Sequence, residues 1–242
     1  MKHIVALSGG KDSTAMALRL AELNPTVEYE YICTPTGDEL PDMLAHWERL
    51  ECMLGRPLQR LAGKTLRDWI DFHQALPSFR MRWCTRQLKI EPCIAYFRKL
   101  PLDSVLYVGL RADEEERRGL ISGDISTVFP LRDWGWGIDQ VKGYLRERGV
   151  KIPARTDCAR CYGQRLSEWY GLWRDHPEIY ADAMADEART GHTFRSPQRD
   201  TWPTSLAGLA EKFAVGHVPR GGAVQGDLFD DDDPQPCRVC RL

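Results

Sequence analysis

Nothing in this chain of 242 residues has the length of apolar sequence needed to cross a bilayer: no run approaches the about 18 consecutive apolar residues of a spanning helix. Net charge is nearly absent as well. With 33 Lys and Arg against 35 Asp and Glu, the balance of −2 leaves no global field that demands nucleic acid or a membrane surface as partner. No internal repeat is evident, and the G-x-x-x-x-G-K-S/T spacing of the Walker phosphate loop is missing. The opening MKHIVALSGG reads as a strand entering a loop, neither a signal nor a transit peptide, so the expected location is the cytoplasm. In such a reducing compartment the eight cysteines are poorly explained as a disulfide framework and are better read as metal or redox chemistry.

The most informative segment is Ser8-Gly9-Gly10-Lys11-Asp12-Ser13-Thr14. It lies between the apolar run Ile4 to Leu7 and the helical run Ala15 to Leu20. A strand, a glycine turn and a helix start form a phosphate cradle made of backbone. The glycines allow a tight turn that brings N–H groups close to an anion. The helix adds its positive dipole end and unpaired N–H groups. Ser8, Ser13 and Thr14 add hydroxyls, and Lys11 adds a mobile positive charge.

Strand and helix signals alternate over the first two-thirds of the chain. Strands are expected at 2–7, 27–33, 58–61 and 104–110. Helices are expected at 13–23, 41–54, 85–99 (bent by Pro92) and 139–148. This alternation predicts an α/β fold with a doubly wound, mostly parallel sheet and the ligand at the carboxyl ends of its strands. From about Pro153 helices dominate, at 162–174, 177–190 and 205–213, with no strand signal. The expected organisation is a nucleotide-binding α/β domain over 1–152, a helical region over 153–215, and a flexible acidic tail over 216–242.

The cysteines stand at 33, 52, 84, 93, 158, 161, 237 and 240. Cys158/Cys161 and Cys237/Cys240 have C-x-x-C spacing. Two such pairs can complete a tetrahedral four-thiolate site, which suits zinc or an iron–sulfur cluster. Cys33, Cys52 and Cys93 read as small hydrophobes of the core. Cys84 differs, because Arg80, Arg82, Arg86 and Lys89 surround it. That positive cluster favours thiolate and suits a phosphate or sulfate.

The Ser8–Thr14 loop resembles the SGGxDS pyrophosphate loop of the N-type ATP pyrophosphatase superfamily, whose fold is adenine nucleotide alpha-hydrolase-like. The order of motifs is more specific still. Thr36-Gly37 follows the second strand. Next come Cys84 with Lys89-Ile-Glu-Pro92, Gly109-Leu-Arg111-Ala-Asp113 with Arg117, Pro130-Leu131-Arg-Asp-Trp134, and Cys158-x-x-Cys161. Over residues 3–165 this order resembles that of the adenylyl-sulfate and phosphoadenylyl-sulfate (PAPS) reductase family. The resemblance implies that Thr36, Gly37, Lys89 and Gly109 help bind an adenine nucleotide. It also implies that Arg111 and Arg117 form a basic clamp on its oxyanions. In cluster-bearing members, cysteines at the places of Cys84, Cys158 and Cys161 are ligands of a [4Fe-4S] cluster. The usual second cysteine beside the first is here Thr85, so Cys237 or Cys240 supplies the fourth ligand, or one iron stays open.

Three features depart from the reductases. The loop is the intact one of ATP-hydrolysing relatives, proline stands in the turn Thr34-Pro-Thr36, and the tail ends Cys-Arg-Val-Cys. The resemblance therefore implies, first, an ATP- and Mg²⁺-dependent sulfur-transfer enzyme. In it Lys11, Asp12, Arg111, Arg117 and Cys84 carry the chemistry, a sulfur-donor protein feeds it, and the acceptor is expected among nucleic acids. The second implied activity is reduction of adenylyl sulfate or PAPS, by a tail thiolate and an electron-donor protein. The third is a zinc-stabilised nucleotide-binding subunit without turnover of its own.

Overall fold

The computed structural model describes residues 1–61, 63–114, 126–197 and 200–221. Five strands form one parallel sheet in the order β3-β2-β1-β4-β5, with β1 His3–Ala6, β2 Tyr29–Cys33, β3 Leu58–Arg60, β4 Val105–Tyr107 and β5 Ser126–Val128. The chain winds outward from β1 to β3, then returns to place β4 on the other side of β1. This is the doubly wound α/β arrangement, and its switch point lies between β1 and β4.

Side-chain alternation in β1 shows why both faces need cover. Val5 and Leu7 pack into the core formed with α1 (Lys11–Leu23), α2 (Pro41–Leu54) and α7 (Ile138–Glu147). Ile4 points to the opposite face, where Ile32, Leu106 and Phe97 of α5 (Glu91–Phe97) meet it. Cys93, also from α5, and Cys33 belong to these layers. Burial pushes the Cys33 thiol up to about 12 and the Cys93 thiol up to about 11, so both stay protonated at neutral pH. Cys52 does not follow the expectation for a core hydrophobe: it lies exposed on the outer side of α2, whose buried stripe is Met43, His46, Trp47 and Leu50.

A second core cluster joins the helices α8 (Leu166–Asp175), α9 (Pro177–Thr190) and α10 (Leu206–Ala214) to residues from the sheet half, among them Leu40, Leu88, and Leu66 and Ile70 of α3 (Leu66–His73). Among the described residues no strand follows β5, in line with the helical reading of the C-terminal region. Helix α3 opens on a reciprocal cap, Thr65 and Asp68 each bonding the other's backbone N–H at 3.2 and 2.7 Å. The segment expected as one bent helix is divided differently. A short turn, α4 (Trp83–Thr85), runs into a π-helical stretch at Arg86–Ile90, and α5 follows with Pro92 in its first turn. A π-turn holds one residue more than an α-turn, which shifts the face that the preceding side chains present. The remaining helix, α6 (Pro130–Asp133), begins at the proline of the Pro130-Leu131 motif.

Candidate functional site

The phosphate loop crosses from β1 to α1 at the switch point. Gly9 adopts φ +88°, a left-handed conformation that favours glycine. A Cβ there would lie 2.2 Å from Met43 Cε and 2.7 Å from Trp47 Nε1. Gly109, just past β4, is equally constrained, since a Cβ on it would approach Ser13 N and Cα at 3.1 Å. The strand end is thereby drawn against the first turn of α1. Within the loop, the hydroxyls of Ser8 and Ser13 lie 3.1 Å apart, and Ser13 Oγ donates to Gly10 O at 3.1 Å. Lys11 is buried, and Thr14 is wholly so, its hydroxyl enclosed by protein without a hydrogen-bond partner.

Asp12 and Arg111 form the acidic and basic centre beside this loop. Arg111 Nη1 donates to Asp12 Oδ2 at 2.8 Å and Nε to Asp113 Oδ1 at 2.8 Å, with Glu114 at 3.8 Å. Burial alone would lower the Arg111 pKa, but Asp12, Asp113 and Glu114 outweigh it and hold the guanidinium above its ordinary value. For Asp12, burial dominates over Arg111 and Lys11 and raises the carboxyl pKa. Its second oxygen, Oδ1, is buried without a hydrogen-bond partner. Arg111 is thus surrounded by acids and orients Asp12. Arg117, expected as the other half of a clamp, lies outside the described residues.

The turn after β2 is organised by Glu39. Its carboxylate accepts from Thr36 N at 2.6 Å, Thr36 Oγ1 at 2.7 Å and Gly37 N at 3.0 Å. The same turn holds the Cys158–Cys161 knuckle. Glu39 bridges Cys158 in antiparallel fashion, and Ala159 N donates to Asp38 O at 2.6 Å. Arg160, between the two cysteines, turns inward. Its Nε donates to Asp38 Oδ1 at 2.6 Å, its own N–H to Asp38 Oδ2 at 2.8 Å, and Nη1 to Asp186 Oδ2 of α9 at 2.5 Å. Gly163 N donates to Cys161 Sγ at 3.4 Å.

One cavity, about 350 Å³ with its open mouth, collects the cysteine motifs. Thr36, Cys84, Lys89, Cys158, Arg160, Cys161 and Tyr162 line it. The fold thus brings Cys84, Cys158, Cys161, Lys89 and Thr36 together. It also places Ser8, Gly9, Gly10, Lys11, Asp12, Ser13, Gly109 and Arg111 together at the switch point. Gly37 lies in the turn against Thr65, whose Cγ2 would meet its Cβ at 2.6 Å. Cys237 and Cys240 lie outside the described residues. Among the described residues, no three His, Cys, Asp or Glu side chains converge as a site for a single metal ion. The three thiols lie on the wall of the cavity, and an all-thiol donor set of this kind suits an iron–sulfur cluster.

Several residues of this region escape a reading by motif. Thr156 places Oγ1 3.7 Å from where a Gly10 Cβ would stand, beside the phosphate loop and two residues before Cys158. His46 and Trp47 of α2 hold the loop's carbonyls. His46 lies in an otherwise apolar helical stripe, a signal that was visible. Arg160 stands between the paired cysteines and Asp38 beside Thr36-Gly37, and neither carries a spacing signal of its own.

A parallel doubly wound sheet with a glycine loop at its switch point, together with a cavity lined by three cysteines, defines the class of this α/β protein. The model of the phosphoadenosine phosphosulfate reductase domain matches residues 2–154, and the chain belongs to that family, within the N-type ATP pyrophosphatase superfamily. An uncharacterised protein of Methanocaldococcus jannaschii is 24% identical over 191 residues, 72% of this chain. The chain spans 45% of that relative's length. The PAPS reductase of Candida auris, in phosphate complex, superposes with TM-score 0.49 at 18% identity, over 63% of this chain and 75% of that one. The U34-tRNA thiolase NcsA of Methanococcus maripaludis, with its [4Fe-4S] cluster, gives 0.47 at 17% identity, over 100% of this chain and 80% of that one. Among the described residues no helix is long and apolar enough to cross a membrane.

Proposed function

We propose that this member of the family is an ATP-dependent sulfur-transfer enzyme. The observation that carries the reading is the cavity itself. Thr36, from the turn next to the phosphate loop, and the thiols of Cys84, Cys158 and Cys161 share one lining, so an activated group and a sulfur source meet there. The intact Ser8–Thr14 loop supports ATP rather than a sulfonucleotide as the bound molecule. Loop amides and Lys11 hold the β- and γ-phosphates. Asp12, with its unpartnered Oδ1 and Arg111 on the other oxygen, is the fitting oxygen donor for Mg²⁺.

In the first step an acceptor oxygen attacks the α-phosphorus, the α–β bridge bond breaks, and pyrophosphate leaves. In the second a hydrosulfide sulfur attacks the adenylated carbon or phosphorus, the bond from that atom to the acceptor's oxygen breaks, and AMP leaves with the oxygen. Lys11 offsets charge that develops on the leaving pyrophosphate. Cys84, Cys158 and Cys161 would hold a [4Fe-4S] cluster, which supplies an iron open to external sulfide when no fourth thiolate, from Cys237 or Cys240, closes it. The basic stretch Arg80 to Lys89 beside the cavity suits an acceptor in nucleic acid.

The family match favours a second reading, reduction of adenylyl sulfate or PAPS. There a cysteine thiolate attacks the substrate sulfur, the S–O bond to the nucleotide breaks, and an S-sulfonated cysteine forms. An electron-donor dithiol then releases sulfite and is oxidised to a disulfide.

Anaerobic incubation with Mg²⁺, sulfide and bulk tRNA or DNA, with ATP in one arm and PAPS plus a dithiol in the other, separates the readings. Release of AMP and pyrophosphate, abolished in Lys11→Ala, is the expected result. Sulfite from PAPS without AMP release from ATP replaces sulfur transfer by the reductase, and neither product refutes both.

A further inference from the structure

We infer that His46 and Trp47 are positioning residues for the phosphate loop: by holding the carbonyl oxygens of Gly9 and Ser8 they aim the amides of Gly10 and Gly9 into the cradle and select ligands that carry a pyrophosphate. The inference rests on the loop's being the nucleotide site proposed above.

The argument begins with peptide geometry. A trans peptide carries its N–H antiparallel to its C=O, so anchoring one end fixes the direction of the other. Trp47 Nε1 donates to Ser8 O at 2.9 Å, which turns the Gly9 N–H the opposite way. His46 Nε2 lies 3.1 Å from Gly9 O, which turns the Gly10 N–H the opposite way. A carbonyl oxygen only accepts, so Nε2 carries the proton. Burial lowers the His46 pKa to about 4, so the ring is neutral at physiological pH and holds this one tautomer.

The two glycines face different surroundings in agreement with this. The missing side chain of Gly9 is aimed at α2, against Met43 and Trp47. That of Gly10 is aimed at the hydroxyls of Ser8 and Thr156, 3.6 and 3.7 Å away. The Gly10 N–H makes only a long 3.4 Å contact with Ser8 Oγ, so a bound anion can compete for it. Helix α2 is therefore more than a cover for the sheet, because its buried stripe carries two donors that match the two loop carbonyls, His46 on Gly9 and Trp47 on Ser8. Neither side chain is charged, so their contribution is orientation and not Coulomb attraction. It acts where several loop amides bind together, at a pyrophosphate group, and hardly on a single phosphate.

The test is calorimetric titration of the full chain with ATP, inorganic pyrophosphate and AMP, at fixed Mg²⁺ and at two salt concentrations. The variants are Trp47→Phe and His46→Leu, which lose the donors, and His46→Gln, whose amide N–H replaces Nε2. Urea midpoints report folding. Each donor-less variant is expected to bind ATP and pyrophosphate about tenfold more weakly, the size of one net hydrogen bond. AMP should stay within about twofold, the salt dependence should not change, and His46→Gln should recover most of the loss. ATP and pyrophosphate affinities unchanged in folded Trp47→Phe and His46→Leu overturn the inference, as does a loss for AMP equal to that for ATP. If His46→Leu does not fold, Trp47→Phe decides alone. A wild-type chain that takes up neither ATP nor pyrophosphate overturns the nucleotide reading itself, a result distinct from the variants matching a wild type that binds both.

Discussion

Replacing Arg160 by methionine keeps the volume of the side chain inside the knuckle and removes its charge. Two buried carboxylates lose a partner, and they are not equally placed. Asp186 retains Arg189 at 2.7 Å and Arg67 at 3.9 Å. Asp38, with its side chain 5% exposed, is left, among the described residues, with the backbone N–H of residue 160 at 2.8 Å. The cost is therefore that of breaking a buried pair at Asp38, about 3–5 kcal/mol, a large share of the roughly 5–15 kcal/mol that holds a domain folded.

The pH dependence identifies the cause. Burial already raises the Asp38 pKa above its ordinary value, and loss of Arg160 raises it further. A carboxyl whose folded pKa exceeds its unfolded one stabilises below the unfolded value and loses that contribution as pH rises through the folded value. The deficit of Arg160→Met should accordingly be smaller at pH 5 than at pH 8, and Arg160→Met/Asp38→Asn should recover at least about 1.5 kcal/mol of it. Urea denaturation at both pH values, compared at constant m, measures each quantity. A deficit under about 1 kcal/mol, or one that does not change with pH or with Asp38→Asn, refutes the reasoning.

Three further outcomes are expected. The buried neutral His46, with its pKa lowered to about 4, stabilises the fold above the unfolded histidine pKa near 6.5. That stability should fall by about 1.4 kcal/mol per pH unit below 6.5, about 3 kcal/mol in all, and His46→Gln should flatten this acid limb; superimposable limbs would disprove it. Gly9→Ala places a Cβ at φ +88° against Met43 and Trp47 and should lower stability by about 2–4 kcal/mol, so a loss under about 1 kcal/mol in chemical denaturation contradicts the packing described. Cys158→Ser and Cys161→Ser should each lose bound iron and sulfide after anaerobic purification, whereas Cys33→Ser and Cys93→Ser, at buried protonated thiols, should keep it. Full iron content in both of the first pair would separate the knuckle from any cluster.

The sheet was legible wherever apolar runs were long or glycine and proline marked their ends. Helix α2 appears at Pro41–Leu54 and α9 at Pro177–Thr190, as expected, because proline opens and glycine closes each of them. Strand β5, with only Ser126–Val128 and no fully buried residue, carries too weak a pattern to find. Helix α3 was missed because its buried stripe is only Leu66 and Ile70 in a polar frame. At the site, loop and thiol positions followed from motif spacing, which is local. What spacing cannot carry is partnership across the fold. That Arg160 meets Asp38 and Asp186, or that Trp47 reaches Ser8 O, depends on how α2, α9 and the knuckle converge. Cys52 shows the converse limit: a free cysteine on a helix packs readily as a small hydrophobe, but the buried face of α2 is set by the i, i+3, i+4, i+7 series from Met43 to Leu50, which leaves position 52 outside.

The π-helical stretch Arg86–Ile90 has a consequence for how this segment tolerates change in length. Each helical residue advances about 100° around the axis. Removing a single residue there would restore an ordinary α-helix and swing Trp83–Thr85 round by roughly that angle, while α5 stays docked on the sheet through Phe97. Cys84 would then leave the wall it shares with Cys158 and Cys161, and a neighbouring side chain would take its place. The distance in sequence from Cys84 to Pro92 thus works as a phase setting, and an insertion or deletion within it changes which side chains face the cavity.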